Sequence, residues 1–460
     1  MTPLPSSARL QRLIAELEHG LLERSAAVRL CLLAALAGEH VLLIGPPGTA
    51  KSELARRLHG AFADAPYFER LLTRFSTPEE LFGPLSLKAL EDDRYERLTA
   101  GYLPTAGIAF LDEVFKANSA ILNALLTLLN EREFDNGAGR SRTPLVCVIG
   151  ATNEVPADES LLAFYDRFLL RVPVAAVSDA SFGALLGLDA GRPGAASAPV
   201  TRAELQALQQ RRDAVALPQA VREHLSALRA FVGERAIAVS DRRWRQLVGL
   251  LRTAALAEGR AAVDAWDLWL VPYAVASDPA QVGALLAWFA ETVAEAVPQD
   301  AAWLTRAVEA FERQLEIEQS AENQPDDGGA GKIALARAIG GAQETGMLRI
   351  VTEALEAHLR KRYSPVHRAA RVSQVDEVLA RAQAHIEPLQ AHADATRHAL
   401  AGRVWMPPEL AASLAGALQQ TLAVLLALQA RLRAVRAGFE ALPLDEGLAE
   451  APPLPVPLPA

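Results

Sequence analysis

The sequence predicts an α/β protein in which a mostly parallel sheet carries helices on both faces and is followed by an all-helical region. Between residues 41 and 172, five short apolar runs that suit buried strands alternate with helical stretches. The first of these runs leads through a Gly/Pro-rich turn directly into a helix. Of the 460 residues, 51% are apolar, so the chain can bury large cores, and its length suits two or three domains.

The predicted elements of the sheet follow in a regular order. Two helical stretches come first, at 10–17 and 24–37, and the second stops at Gly38, a helix C-terminal signal. The five predicted strands are Val41–Ile44, Tyr67–Leu72, Ile108–Leu111, Leu145–Gly150 and Phe168–Val172. Their alternation with helices is the pattern of an open, mostly parallel sheet.

Two β-hairpins are predicted to interrupt this alternation. The first joins 85–90 to 94–98 around two aspartates, and the second turns at Asp135-Asn136-Gly137, a strong hairpin signal. Before the first hairpin, Thr77 to Glu80 read as a capping box with proline at the first helical position, so we expect a helix to begin there.

The second half of the chain reads as helices separated by linkers. A Gly/Pro/Ala-rich stretch, 187–200, and a polar Gly-rich stretch, 323–331, are the linker signals. The expected organisation is a core at 1–186, a linker at 187–216, a helical lid and extension at 217–320, a linker and reduced insert at 321–373, a helical hairpin at 374–440, and a Pro-rich, disordered tail at 441–460.

Residues 41–52 have the pattern of a phosphate-binding loop. The strand, the Gly/Pro turn and the helix start provide backbone N–H groups and a helix dipole for an anion, and Lys51 adds a positive charge. The hydroxyl of Ser52 can ligate Mg²⁺. The predicted nucleotide-binding residues are Gly45, Pro46, Pro47, Gly48, Thr49, Ala50, Lys51 and Ser52. Ala50 stands where the usual pattern has its last glycine, and the alternative is a helix that merely begins after a turn.

Polar side chains end two other predicted strands. Asp112 and Glu113 follow a buried strand, and the carboxyl edge of a parallel sheet faces the ligand crevice. Asp112 is predicted to hold Mg²⁺ or its waters, and Glu113 to polarise the attacking water. Asn153 follows another strand and is predicted to contact the γ-phosphate or position that water. The alternatives are a solvated strand end and a turn-forming asparagine.

Two arginines are the remaining candidates. Arg167, which follows Asp166, reads either as a surface ion pair or as an arginine finger that reaches a neighbouring subunit's γ-phosphate. Arg242 begins a helix for which Ser240 is the expected N-cap, and it reads either as a solvated side chain or as a phosphate contact.

Taken in order, G-P-P-G-T-A-K-S, F-L-D-E, A-T-N-E, F-Y-D-R-F and V-S-D-R-R-W resemble the MoxR branch of AAA+ ATPases. The stretches R-L-C-L-L-A-A-L-A-G-E, T-R-F-S-T-P-E-E-L-F-G-P-L, G-Y-L-P and L-L-T-L-L-N-E-R resemble its RavA subfamily. The resemblance runs continuously over about residues 1–320, and it accounts for alanine at position 50.

The resemblance implies an AAA+ P-loop core, an all-α lid and a homo-hexameric ring that hydrolyses ATP with Mg²⁺ between subunits. Lys51 and Ser52 would form Walker A, and Asp112 and Glu113 Walker B. Asn153 would be sensor 1, Arg167 the arginine finger and Arg242 the sensor 2 arginine, with Arg243 as the weaker alternative. RavA-like ATPases act as chaperones with a partner that carries a von Willebrand factor A domain.

The last third departs from the subfamily. Trp405–Leu410 and the helix after it resemble the end of RavA, and they give the chain a helical C-terminal arm. The segment 321–373 is shorter and more helical than the β-rich domain through which RavA contacts an amino-acid decarboxylase, so that partner is not expected. A basic cluster at 357–362 reads as a solvated face or as a dock for an acidic partner.

Composition and charge also bear on the alternative functions and on the location of the protein. The net charge of −9 and the acidic first hairpin argue against a nucleic-acid motor, which remains one alternative; a non-hydrolysing, nucleotide-gated scaffold is the other. The two cysteines, Cys31 and Cys147, lie in apolar segments and read as buried thiols of a reducing compartment. Neither a signal peptide nor a membrane span is expected, and the predicted location is the cytoplasm.

Overall fold

The structure is a computed structural model that describes residues 3–137, 139–188, 196–294, 302–321, 361–449 and 451–457. The chain divides into two compact units. The first comprises residues 1–296 together with 399–413, and the second comprises 297–398 together with 414–460. The predicted linker at 323–331 and most of the basic cluster at 357–362 lie outside the described residues.

A five-stranded parallel sheet forms the centre of the first unit, which confirms the predicted fold class. Its strands are β1 His40–Ile44, β2 Tyr67–Leu71, β3 Ile108–Asp112, β6 Cys147–Thr152 and β7 Phe168–Pro173, in the spatial order β2-β3-β6-β1-β7. Every residue of β1 and β6 is buried, because helices cover both faces of a parallel sheet. This order places β6 between β1 and β3, so the carboxyl ends of these three strands are neighbours.

The helices of the first unit are α1 Ser7–Glu18, α2 Ser25–Ala37, α3 Lys51–Gly60, α4 Pro78–Phe82, α5 Leu87–Glu91, α6 Ser119–Glu131, α7 Glu159–Tyr165, α8 Asp179–Leu186, α9 Arg202–Arg211, α10 Gln219–Glu234, α11 Asp241–Ala257, α12 Val271–Val275 and α13 Gln281–Phe289. Helix α2 is the central one, because all residues from Ala27 to Ala37 are buried. It ends at Gly38, whose φ of 74° is the left-handed conformation that glycine adopts most readily.

The second predicted hairpin is present, and the first is not. Strands β4 Glu133–Asn136 and β5 Gly139–Arg142 pair in antiparallel fashion around the predicted turn. In the segment predicted as the first hairpin, residues 87–91 instead form α5, and a single β-bridge joins Leu85 to Arg97. The side chain of Ser86 accepts a hydrogen bond from Ala89 N, and this N-cap starts a helix in a run of good helix formers.

Three further expectations need correction. The predicted linker at 187–216 contains α9, which begins with a complete capping box between Thr201 and Glu204. Thr77 is the N-cap of α4, but its side chain makes no capping hydrogen bond. The arm begins earlier than residue 374, because its first helix starts at Pro365.

The second unit is built from α14 Ala302–Ser320 and most of α15 Pro365–Leu400 and α16 Pro408–Glu440. One apolar cluster joins them, with members from each helix: Leu304, Val308, Phe311, Val375, Ile386, Leu389, Leu418, Leu432 and Phe439. The predicted tail, 441–460, is not disordered over its described residues, 441–449 and 451–457. Val456 is buried in this cluster, and Arg371 donates a hydrogen bond to Leu454 O at 2.8 Å.

Helix α16 is long and apolar enough to cross a membrane by length and composition alone, which the sequence reading did not anticipate. Its buried residues, among them Leu418, Leu425 and Leu432, recur at three- to four-residue spacing. These residues belong to the apolar cluster of the second unit. The same composition therefore also fits a helix that packs on others through one stripe.

Candidate functional site

The loop between β1 and α3 is held in one shape by close backbone contacts. A Cβ atom on Gly45 would lie 2.0 Å from Val174 O, so only glycine fits there. Gly48 has a φ of 80°, and Ala50 has a φ of 66° and occupies the N-cap position of α3. Left-handed backbone is unfavourable for alanine by roughly 1–2 kcal/mol, so the surrounding contacts must stabilise this loop conformation.

Lys51 crosses the inside of this loop. Its Nζ atom donates hydrogen bonds to Gly45 O at 2.7 Å and Pro46 O at 2.8 Å, and the side chain is largely buried. Burial lowers the pKa of Lys51, and the charges of Asp112 and Glu113 act in the opposite direction. The ammonium group therefore lies among the loop carbonyls, near the two carboxylates that end β3.

The polar side chains that end β3 and β6 contact each other. Asn153 Nδ2 donates a hydrogen bond to Glu113 Oε1 at 2.7 Å, and Lys116 forms an ion pair with Glu113 at 3.2 Å. Glu113 has a φ of 52°, and its backbone N–H donates to Asp112 Oδ1 at 3.0 Å. A strained residue with both carboxylate oxygens engaged is typical of a functional site.

The residues at this edge fit Mg²⁺ bound together with phosphate. In such sites the ion takes one or two protein oxygen ligands and completes its shell with phosphate oxygens and water. Ser52, at the start of α3, offers a hydroxyl, and Asp112 offers a carboxylate whose charge acts on neighbouring Lys51. The part of the chain that the structure describes has no group of three or more His, Cys, Asp or Glu side chains that could hold a metal ion.

Arg167 and Arg242 lie together, but at the opposite edge of the sheet. Arg167 precedes β7, whose first residue, Phe168, pairs with His40 at the amino end of β1. Five residues of extended strand separate that edge from the phosphate loop, a distance of about 16 Å. Burial, and next the charge of Arg242, lower the pKa of Arg167. Its Nε atom is buried and makes no hydrogen bond among the described residues.

Asp166 is paired with Arg243, and not with the adjacent Arg167. Arg243 is only 2% exposed and its Nη2 lies 3.0 Å from Asp166 Oδ1. Its Nη1 also donates to Leu169 O at 2.8 Å and to Ala274 O at 2.7 Å. Arg243 therefore joins α11 to the sheet, and it is wrong as the alternative phosphate contact. Ser240 caps α11 as expected, by accepting a hydrogen bond from Arg243 N.

Sequence reasoning missed Arg24, which contacts the loop from the position directly before α2. Its Nε donates a hydrogen bond to Thr49 O at 3.2 Å, and the residue is 6% exposed. The signal that could have identified it is a cation placed directly before a helix that is apolar on all sides.

Family models match two parts of the chain. Residues 8–211 match a family model described as the MoxR domain in the MoxR-vWA-beta-propeller ternary systems, and residues 219–289 match an AAA lid domain. Two uncharacterized proteins of Methanocaldococcus jannaschii are 42% and 40% identical to the chain. The first match covers 56% of this chain and 68% of the relative, and the second covers 59% and 72%.

Two other matches are looser. Protein MoxR of Paracoccus denitrificans is 30% identical over 174 residues, which are 36% of this chain and 50% of that protein. A solved structure of a candidate ATPase from Cytophaga hutchinsonii has a TM-score of 0.48 and 18% identity, over 58% of this chain and 86% of its own, a likeness too loose to bear on function. From the family models and the two Methanocaldococcus jannaschii relatives, the chain belongs to the MoxR family of AAA+ ATPases.

Proposed function

We propose that the protein is a Mg²⁺-dependent ATPase of RavA type that hydrolyses ATP in a homo-hexameric ring and remodels or matures other protein complexes. The observation that carries this proposal is the bond between Asn153 and Glu113, at 2.7 Å, beside the buried ammonium group of Lys51. It supports a site arranged for water attack as well as for nucleotide binding.

The proposed chemistry assigns one task to each group. The backbone N–H groups of residues 45–52 and the ammonium of Lys51 bind the phosphates of ATP. Glu113 accepts a proton from the attacking water, and Asn153 orients the Glu113 carboxylate toward that water. Mg²⁺, held by Ser52 and Asp112, would neutralise phosphate charge.

The positions of Arg167 and Arg242 support a site that two subunits complete. Both lie about one strand length, roughly 16 Å, from the loop of their own chain, a separation that their side chains do not span. In a ring, a heterologous interface places one edge of a subunit against the opposite edge of the next. We infer that Arg167 and Arg242 reach a neighbour's γ-phosphate, where a guanidinium stabilises the charge of the transition state.

The description of the family also supports a partner protein. The matching family model is described from ternary systems that combine a MoxR domain with a vWA and a beta-propeller component, and this supports a partner with a von Willebrand factor A domain. The core at 1–186 and the lid at 217–320 would form the ring, and the helical arm would be available to other proteins. We propose a cytoplasmic location for this assembly.

A nucleic-acid motor is less well supported. On the two segments predicted as hairpins, several arginines pair with carboxylates: Arg140 pairs with Asp135 at 2.7 Å, and Arg94 pairs with Glu96 at 3.2 Å. Phosphate binding by such side chains would require these ion pairs to be exchanged, so the electrostatic attraction for nucleic acid is small. A nucleotide-gated scaffold that does not hydrolyse ATP would have no use for the bond between Glu113 and Asn153.

The test is phosphate release by the full chain with ATP and Mg²⁺. We expect turnover to collapse in Lys51→Ala and in Glu113→Gln, and nucleotide binding to persist in Glu113→Gln. Matched controls are Lys88→Ala and Glu223→Gln, which change exposed side chains outside the proposed site. Equal turnover in wild type and both site variants would reject the proposal, and binding without any turnover in wild type would favour the scaffold.

A further inference from the structure

We propose that Arg24 is a positioning residue that holds the phosphate loop in its binding conformation and so allows alanine at position 50. This inference rests on the proposed function, because it concerns the same nucleotide site. Arg24 lies in the connection between α1 and α2, at the position immediately before α2.

The guanidinium of Arg24 bridges three segments through backbone carbonyls. Nε donates to Thr49 O at 3.2 Å, Nη2 donates to Ala175 O at 2.6 Å, and Nη1 donates to the carbonyl of its neighbour, Glu23, at 2.9 Å. The fork of an arginine can fix several acceptors at once, which a lysine cannot do. The loop is therefore tied to the chain that follows β7.

The bond to Thr49 O fixes a particular peptide plane. The carbonyl of Thr49 and the N–H of Ala50 belong to one planar unit, in which they point in opposite directions. When Arg24 holds the carbonyl on the outside of the loop, the N–H of Ala50 must face inward, toward the position of the phosphates. This is the orientation that an anion-binding loop needs.

Ala50 makes this restraint necessary. With a φ of 66°, it is in the left-handed region that glycine populates freely and alanine does not. Without the bond from Arg24, the Thr49–Ala50 peptide would rotate toward a conformation that alanine prefers. The loop would then be in its binding conformation only part of the time, and the apparent affinity for nucleotide would be its intrinsic value multiplied by that fraction.

The position of Arg24 is itself fixed by its neighbour. Glu23 has a φ of 56°, and its carboxylate accepts hydrogen bonds from Ser178 N, at 3.0 Å, and from the Ser178 hydroxyl. No ion pair to a carboxylate is formed by Arg24 within the described ranges, so its charge also acts on the loop, where it lowers the pKa of Lys51 after the larger effect of burial. Arg24 therefore acts on the phosphate loop in two ways: its hydrogen bonds restrain the backbone, and its positive charge adds to that of Lys51.

The experiment measures the dissociation constant of a fluorescent, non-hydrolysable ATP analogue with Mg²⁺, using the full chain. We expect Arg24→Ala to raise it about tenfold or more, since a hydrogen bond from a charged group is lost. Arg24→Lys retains the charge and loses the fork, and we expect about threefold weaker binding or more. Arg29→Ala is the matched control: it removes a buried arginine of α2 that contacts Val404 O and Ser25, and we expect binding within about twofold of wild type.

A purely structural role would not predict rescue by Ala50→Gly. Alone, this change should alter affinity by about twofold at most, but combined with Arg24→Ala it should recover about threefold or more, because glycine adopts the left-handed conformation without the restraint. Arg24→Ala binding as tightly as wild type, or independent effects of the two changes, would overturn the inference. A wild-type chain that binds no analogue would contradict the proposed function, and this inference with it.

Discussion

Two neighbouring arginines at the start of α11 are predicted to have different roles: Arg243 stabilises the fold, and Arg242 supports ATP hydrolysis. Substituting each one alone distinguishes these roles. Arg243 is 2% exposed, pairs with Asp166 and donates hydrogen bonds to Leu169 O and Ala274 O. Arg242, one residue earlier, is exposed. Arg243→Ala leaves two buried carbonyls without this donor and takes one partner from Asp166, which is 29% exposed. Arg242→Ala removes only a solvated side chain.

The magnitude for Arg243→Ala follows from this burial. A buried acceptor that loses its donor costs about 1–3 kcal/mol, and Arg243 serves two buried carbonyls, so Arg243→Ala should destabilise the protein by about 3–5 kcal/mol. In a unit of this size, at roughly 2 °C per kcal/mol, the melting temperature should fall by about 6–10 °C. Arg242→Ala should change stability by no more than about 0.5 kcal/mol, as expected for a surface substitution.

Differential scanning calorimetry and phosphate release on the same samples give the two readouts. We expect Arg243→Ala to have a lower melting temperature than wild type. We expect Arg242→Ala to have the wild-type melting temperature and to lose ATPase activity. The reverse pattern, in which Arg242→Ala melts early and Arg243→Ala retains the wild-type melting temperature, would refute the reasoning from burial.

Two further predictions concern Asn153 and the thiols. Asn153→Ala should reduce turnover by about 10²-fold with little change in nucleotide affinity, since it removes the hydrogen bond that orients Glu113. An equally large loss of affinity for the fluorescent ATP analogue would contradict that role. Burial raises the pKa of Cys147 to about 12 and that of Cys31 well above its ordinary value, so neither thiol should react with iodoacetamide at pH 8 until the chain unfolds. The same shifts predict that the free energy of unfolding is retained below pH 9 and decreases as the pH rises from there, because the thiols of the unfolded chain ionise first. The decrease should be at most about 1.4 kcal/mol per pH unit for each thiol. Rapid labelling of the native chain, or a free energy of unfolding that increases over this range, would contradict the burial of these groups.

Much of the fold could be predicted because its signals are local. Short apolar runs and turn residues define the five strands, and the parallel order places the carboxyl ends of β1, β3 and β6 side by side. Asp112, Glu113 and Asn153 therefore come together near Lys51 by topology alone. The hairpin at Asp135-Asn136-Gly137 is equally local, since its turn type depends on two or three residues.

The errors arose where a local signal competed or where contacts are distant in sequence. At 85–98 a capping serine favoured a helix over the expected strand. The pairing of Arg243 with Asp166 joins residues 77 positions apart, so the sequence could suggest only the adjacent Arg167 as partner for that aspartate. The tail was expected to be disordered from its prolines, but Val456 is buried in the cluster of the second unit.

The most direct test of the central claim, that neighbouring subunits share each ATPase site, is to mix two inactive variants. Lys51→Ala subunits retain Arg167, and Arg167→Ala subunits retain an intact phosphate loop. In a ring assembled at random from equal amounts, about a quarter of the interfaces combine an intact loop with an intact arginine. We predict that the mixture recovers about a quarter of wild-type phosphate release, whereas activity no greater than the sum of the two variants alone would contradict the shared site.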